Sequence, residues 1–132
     1  MVEIYTDGAS RGNPGKSASS FVVAEDGKVI YFSSSYIGID TNNVAEYKAI
    51  IAAMKFCIES GIKEVIITSD SKLVISQLTG AYRVKSEHLK ALYESVKKMT
   101  GKLNRVEFKN VRRENKFVKI ADKLCNIMLD YS

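Results

Sequence analysis

The chain has 132 residues, 45% of them hydrophobic and 27% charged, which is typical of an ordinary globular domain. It contains no long apolar run that would predict a transmembrane helix, and its first residues lack the pattern of a secretory signal. We therefore expect a cytoplasmic protein, without a membrane partner and monomeric. The net charge of +5 is uneven, with −3 over residues 1–70 and +8 over residues 71–132. The basic second part would attract nucleic acid, and a solvated basic surface is an equally good interpretation.

Three strands are predicted at the start of the chain. The first covers residues 2–7 and breaks at Asp7 into a glycine-rich turn that extends to Gly15. The second and third cover residues 19–24 and 29–33, and the Asp26-Gly27 pair between them is a hairpin signal. These strands are expected to form an antiparallel meander.

Helices and strands alternate in the rest of the chain. A long helix opens at residues 40–43 and ends near Glu59, before Gly61. A buried strand over 62–70, helices over 71–78 and 86–100, a strand over 105–111 and a helix over 117–130 follow. Because a strand, a helix and a strand in succession favour a parallel crossover, we predict one α/β domain over residues 1–132. Its mixed sheet has three antiparallel and two parallel strands, with helices on both faces.

Four carboxylates stand where apolar or small residues are expected. Asp7 and Asp70 end predicted strands, and Glu46 and Asp122 interrupt the apolar faces of two predicted helices. Each has a structural alternative, which for Asp7 is a strand that ends in an ordinary turn, where aspartate and glycine are common. Glu46 can complete a capping box with Asn43, Asp70 can belong to a helix cap, and Asp122 can lie at the edge of its apolar stripe.

The four acids together indicate a metal site. If the strands that carry Asp7 and Asp70 are parallel neighbours, all four side chains converge at one end of the sheet. Their mutual repulsion would raise their pKa values, and divalent cations would relieve it. Oxygen ligands favour Mg²⁺ or Mn²⁺ over zinc, and a pair of such ions can catalyse phosphodiester hydrolysis.

Four motifs, in this order, resemble the ribonuclease H type 1 family. They are Thr6-Asp7-Gly8-Ala9-Ser10 with Gly12 to Gly15, Thr41 to Tyr47, Ser69-Asp70-Ser71, and Ile120 to Leu124. The resemblance implies an endoribonuclease that cuts the RNA strand of RNA–DNA hybrids with little sequence preference. It assigns metal-binding and catalytic roles to Asp7, Glu46, Asp70 and Asp122, with two Mg²⁺ or Mn²⁺ ions per site when substrate is bound.

The resemblance also implies a set of nucleic-acid contacts, which comprises Asn13, Thr41, Asn42, Asn43, Ser71, Lys72, Arg112 and Arg113. Three features depart from many family members. The loop before the last helix offers arginines instead of a histidine, Lys72 follows Ser71, and the basic protrusion is missing, as in some archaeal and bacterial relatives. The only histidine, His88, is expected to pack or cap a helix. A binding module without catalysis and an enzyme that acts on double-stranded RNA are the alternatives.

Overall fold

The computed structural model describes residues 1–132. Its elements are β1 (Val2–Arg11), β2 (Gly15–Glu25), β3 (Lys28–Asp40), α1 (Asn42–Ser60), β4 (Glu64–Ser69), α2 (Lys72–Leu78), α3 (Glu87–Thr100), β5 (Arg105–Asn110) and α4 (Lys116–Asp130). This is the predicted order of strands and helices. No helix combines the length and the apolar character needed to cross a lipid bilayer.

The five strands form one sheet in the order β3-β2-β1-β4-β5. β1 lies at the centre, antiparallel to β2 and parallel to β4, and β5 extends the parallel part. β3 pairs with β2 on one side and forms an edge of the sheet on the other. The mixed sheet predicted from the sequence is therefore confirmed.

Alternating side chains of β1 contribute to two hydrophobic clusters, one on each face of the sheet. Ile4 belongs to the larger cluster, which contains the buried side chains of α1, whereas Tyr5 packs with Val118 of α4 on the opposite face. The cysteines, Cys57 and Cys125, are free and buried. The sheet that carries Asp7 is thus covered by helices on both faces.

The prediction that β1 ends at Asp7 is wrong. Pairing with the parallel neighbour β4 stops at Thr6 and Ser69, but pairing with β2 continues to Arg11 and Lys16. The turn is confined to the residues between them, where Gly12 has a φ of 96°. Asp7 therefore lies where β1 leaves β4, and its backbone is held by β2 alone.

The capping box proposed for Asn43 and Glu46 is also wrong. The N-cap of α1 is Thr41, whose hydroxyl accepts a hydrogen bond from the backbone N–H of Val44 at 3.3 Å. Asn43 is the second residue of the helix, and Glu46 lies beyond the capping positions. Glu46 is consequently not needed to satisfy the backbone at the start of α1.

Candidate metal centre

Three carboxylates from separate elements meet at the point where β1 and β4 diverge. Asp7 lies in β1, Glu46 in the second turn of α1, and Asp70 directly after β4. One oxygen from each lies within 4.8 Å of the others. The structure thus brings together three of the four acids predicted for the metal site.

Gly8 allows α1 to approach the strand closely enough for Glu46 to join this group. A Cβ atom on Gly8 would lie 2.2 Å from the carbonyl carbon of Ala45, closer than packed atoms can come. The backbone N–H of Gly8 also donates a hydrogen bond to the Glu46 carboxylate. The glycine after Asp7 therefore has two roles, because it makes room for the helix and orients the carboxylate that the helix carries.

Burial and mutual repulsion raise the pKa values of the clustered acids. Burial is the main cause for Asp7, and the negative charges of Asp70 and Asp122 add to it, raising its pKa to about 8. The pKa of Glu46 is also well above its usual range, because the side chain is buried and lies next to Asp7 and Asp70. The cluster therefore retains protons near neutral pH unless a cation neutralises it.

Arg113 is the only basic side chain that forms an ion pair with this group. Its Nε atom lies 3.9 Å from Oδ2 of Asp70, and its side chain is 90% exposed. Burial raises the pKa of Asp70, and the charge of Arg113 opposes that increase. Ser71 caps α2 through its hydroxyl, which accepts from the backbone N–H of Val74, so the Asp70 carboxylate is not the helix cap.

Asp122 lies at the edge of the site rather than in the group of three. The prediction that it interrupts a buried helix face is wrong, since Ala121 is buried and Asp122 is exposed at the border of the apolar stripe. It nevertheless lines the same cleft and interacts with Asp7 through its charge. Its neighbour Asn126 donates a hydrogen bond to the Asp122 carbonyl oxygen at 3.1 Å and approaches its carboxylate at 3.5 Å.

The cleft around the acids has a volume of about 350 Å³ and contains half of the predicted nucleic-acid contacts. Asn42, Asn43, Ser71 and Arg113 line it together with the four acids. The other four, Asn13, Thr41, Lys72 and Arg112, do not line it.

Two of the residues outside the cleft have structural partners. Thr41 caps α1, and the Asn13 side chain accepts a hydrogen bond from the backbone N–H of Asn42 at 3.0 Å. Ser10 was not among the predicted contacts, but it lines the cleft, and its backbone N–H donates to Oδ1 of Asn42 at 2.8 Å. Its place in the first motif was the signal that could have identified it.

His88 takes neither of the roles predicted for it, since it does not pack against the protein and the N-cap of α3 is Ser86. Its side chain is 73% exposed, and its Nε2 atom lies 4.0 Å from Oδ1 of Asp40. His88 does not line the acidic cleft, so no histidine takes part in the site.

Comparisons with known proteins agree with this geometry. The family described as "Reverse transcriptase-like" matches residues 5–128. A crystal structure of RNase H1 from Halobacterium salinarum superposes with a TM-score of 0.94 at 35% identity, covering 99% of this chain and 98% of that one. The chain belongs to the ribonuclease H type 1 family. LC11-RNase H1, solved in complex with an RNA/DNA hybrid, superposes on this family member with a TM-score of 0.92 at 36% identity, covering 99% of this chain and 98% of that one.

Curated relatives include longer proteins. A bifunctional protein of Mycobacterium tuberculosis is 37% identical over 131 residues, which are 98% of this chain and 35% of that protein. The ribonuclease HI of Halobacterium salinarum is 46% identical over 82 residues, which are 61% of this chain and 41% of that protein. The chain thus spans about a third of the length of the mycobacterial relatives.

The donor set of this ribonuclease H-type site fits a divalent metal ion. Its ligating atoms are carboxylate oxygens, which suit hard cations with oxygen coordination. Metal binding would lower the raised pKa values of Asp7 and Glu46, because a cation stabilises their charged forms. The acids therefore have both the spacing and the charge that such an ion requires.

Proposed function

We propose that this chain is a metal-dependent endoribonuclease that hydrolyses the RNA strand of RNA–DNA hybrids. The observation that carries the proposal is the group of three carboxylates within 4.8 Å, on a fold that matches ribonucleases H1 over nearly its whole length. An acidic group with one exposed basic partner is poorly suited to a structural role, and it is suited to binding cations. Mg²⁺ or Mn²⁺ is the proposed cofactor, with two ions bound when substrate is present.

Asp7, Glu46 and Asp70 would hold the metal ions, and Asp122 would contribute from the edge of the cleft. Bound ions of this kind activate water for attack on a phosphodiester and stabilise the leaving oxygen. The Gly8 N–H fixes the orientation of the Glu46 carboxylate, and β1 and β4 fix the separation of the two aspartates. The chain itself thus supplies a rigid set of oxygen ligands.

The cleft-lining polar residues would bind the substrate backbone. Asn42, Asn43 and Ser71 offer amide and hydroxyl groups beside the acids, and these groups can contact a 2′-hydroxyl, which distinguishes RNA from DNA. Arg113 can bind a phosphate. Lys72 and Arg112, together with Asn13 and Thr41, are proposed as more distant backbone contacts. Because contacts of this type do not read bases, cleavage would be tolerant of sequence.

A cleavage assay on three labelled duplexes tests this proposal. RNA–DNA hybrid, double-stranded RNA and double-stranded DNA would be incubated with Mg²⁺ or Mn²⁺, with and without a chelator. We expect cutting of the RNA strand of the hybrid, loss of cutting with chelator, and a loss of roughly three orders of magnitude in Asp7→Asn. Asp130→Asn is the matched control, because Asp130 is an exposed acid that pairs with Arg11 outside the cleft.

Other outcomes identify the alternatives. Binding of the hybrid without cleavage under any metal condition would indicate a nucleic-acid-binding module. Faster cleavage of double-stranded RNA than of the hybrid would assign the site to that substrate. Cytoplasmic location stays a prediction from the sequence.

A further inference from the structure

We propose that a second cavity, between α2 and α3, binds an unpaired nucleotide of a single-stranded nucleic acid. The cavity has a volume of about 730 Å³, within the range of ligand pockets. It is lined by the end of α2, by α3 and by the segment that connects these helices, residues 79–86. None of its lining residues lines the acidic cleft, so it is a separate site. The proposal goes beyond hydrolysis of the hybrid and does not depend on it.

A nearly buried amide faces the second cavity. Gln77 lines the cavity although the residue is only 5% exposed. Its Oε1 atom accepts a hydrogen bond from the Tyr47 hydroxyl at 2.6 Å, and its Nε2 atom has no hydrogen-bond partner in the chain. Because no fully buried polar side-chain atom lacks a partner, this Nε2 atom is open to the cavity. The amide therefore offers its two N–H donors to acceptor atoms of a ligand, which would relieve the cost of leaving them unpaired.

The rim of the second cavity is basic. Arg83 in the connecting segment and Lys90 in α3 both line it, and neither forms an ion pair in the chain. No aspartate or glutamate lines this cavity, in contrast to the cleft with its four acids. A phosphate group is thus attracted to the second cavity without a metal ion, and Arg83 can bind it through two parallel hydrogen bonds.

Two tyrosines suit the second cavity to a base as well as a phosphate. Tyr82 is 44% exposed and Tyr93 is half-buried, and both line the cavity. Bases stack on aromatic side chains with little regard to sequence, and the Gln77 amide can bond to a base edge. In a duplex, neighbouring pairs cover the faces of a base and pairing occupies its edge. A base that enters this cavity must therefore be unpaired.

Hydrogen bonds hold the walls of the second cavity in place. The backbone N–H of Tyr82 donates to the Ser76 carbonyl at 2.9 Å, which folds the connecting segment back onto α2. The Lys97 ammonium donates to the Leu78 carbonyl at 3.2 Å, which joins α3 to the end of α2. The cavity is thus formed before a ligand binds, so binding carries little cost of ordering the walls.

The position of the second cavity favours a strand over a free nucleotide. Ser71, which lines the acidic cleft, precedes Gln77 by six residues, a distance of about 9 Å along α2. At roughly 3.4 Å per nucleotide, a strand that extends beyond the cleft covers this distance in about three nucleotides. An unpaired stretch next to a bound duplex can therefore occupy the cavity.

Fluorescence anisotropy with a labelled single-stranded DNA of about 12 nucleotides tests the proposal. A chelator keeps metal ions out of the cleft, so binding is measured without cleavage, and a negative result leaves the proposed function untouched. We expect Tyr82→Ala to weaken binding about tenfold, because stacking on the ring is lost. Tyr36→Ala removes an aromatic side chain of similar exposure on β3 and should bind as the wild type does.

The salt dependence of binding tests the two cations. Arg83→Gln and Lys90→Gln should each reduce the slope of log affinity against log salt by about 0.7, the value for one phosphate of a single strand. Lys28→Gln, which removes an exposed lysine of β3, should leave the slope unchanged. Gln77→Glu keeps an acceptor for the Tyr47 hydroxyl but replaces the N–H donors with negative charge, so it should weaken binding. A thermal melt of this variant checks that it is folded.

A strand without bases separates stacking from charge. Tyr82→Ala should leave the affinity for an abasic strand of the same length unchanged, whereas Arg83→Gln should weaken binding of both strands. Equal losses in Tyr82→Ala on the two strands, or equal affinities of Tyr82→Ala and Tyr36→Ala, would overturn the proposal. The same loss in Tyr82→Ala with a blunt duplex would overturn the need for an unpaired base. Displacement of the strand by AMP at concentrations near the Kd of the strand would assign the cavity to free nucleotides instead.

Discussion

Replacing Asp7 with asparagine should stabilise the metal-free protein at alkaline pH. Burial and the nearby charges of Asp70 and Asp122 raise the pKa of Asp7 from 3.8 to about 8. Between these pH values the folded protein holds a proton on Asp7 that the unfolded chain has lost. The stability associated with that proton is complete below pH 3.8 and is lost as the pH rises through about 8. Asparagine has the shape of the protonated carboxyl and does not titrate.

The size of the effect follows from this one proton. Its loss lowers the free energy of unfolding by about 1.4 kcal/mol per pH unit, so the upper limit between pH 5 and pH 8 is about 4 kcal/mol. Asp7 shares the repulsion with Glu46 and Asp70, and the partly open cleft admits water, so we expect about 2 kcal/mol. For a chain of 132 residues, that is roughly 8 °C in Tm at pH 8.

Thermal and urea unfolding in the presence of a chelator would measure this difference. Asp7→Asn and the wild type should have similar Tm values at pH 5, and the variant should have the higher Tm at pH 8. Asp130→Asn removes an exposed acid that pairs with Arg11 and should follow the wild type. Mg²⁺ should stabilise the wild type at pH 8 much more than Asp7→Asn. A variant that is less stable than the wild type at pH 8, or that has the same slope against pH, would refute the reasoning.

Three further predictions concern the residues around the acids. Gly8→Ala should lower the free energy of unfolding by about 3 kcal/mol in urea titrations, because its Cβ would collide with the α1 backbone; an unchanged midpoint would contradict this contact. Thr41→Ala should lower the free energy of unfolding by about 1 kcal/mol, and Asn43→Ala should lower it much less, because Thr41 is the N-cap of α1. A larger loss in Asn43→Ala than in Thr41→Ala would instead support Asn43 as the capping residue. Arg113→Gln should move the acidic limb of the pH–rate profile for hybrid cleavage to higher pH, because Arg113 lowers the pKa of Asp70; an unmoved limb would show that Asp70 does not control it.

The order of the elements could be predicted because apolar patterns and turn residues determine it. Ile4 and Tyr5 alternate between the two faces of the sheet, and Gly61 and Ser86 bound helices as expected. The full lengths of β2 and β3 could not be predicted, because both strands contain serines, and a strand is recognised in a sequence from its apolar residues. Ser19 is buried within β2, where its hydroxyl donates to the Ala45 carbonyl at 2.7 Å.

The acids of the site were predictable from their unusual settings, and the contacts between them were not. The sequence shows an acidic residue among apolar or small neighbours at three positions, Asp7, Glu46 and Asp70. The close approach of Gly8 to α1 depends on the angle at which the helix crosses the sheet. The cap of α1 was misplaced by two residues because both Thr41 and Asn43 are good capping residues, and local sequence does not choose between them.

The balance of charge around the cluster is the strongest argument that its role is functional. A structural group of buried acids is normally stabilised by basic side chains that share the buried position. Here the only ion pair is to Arg113, whose Nε atom lies 3.9 Å from Asp70 and whose side chain is mostly in solvent. Glu46 is buried, yet the hydrogen bond it accepts comes from the neutral Gly8 N–H rather than from a cation. The fold therefore holds three carboxylates together without supplying the charge that would offset their repulsion. In the metal-free protein, protons offset this repulsion, because the raised pKa values of Asp7 and Glu46 keep these carboxyls protonated near neutral pH. A divalent cation can take the place of those protons, and the spacing and the oxygen donors favour its binding.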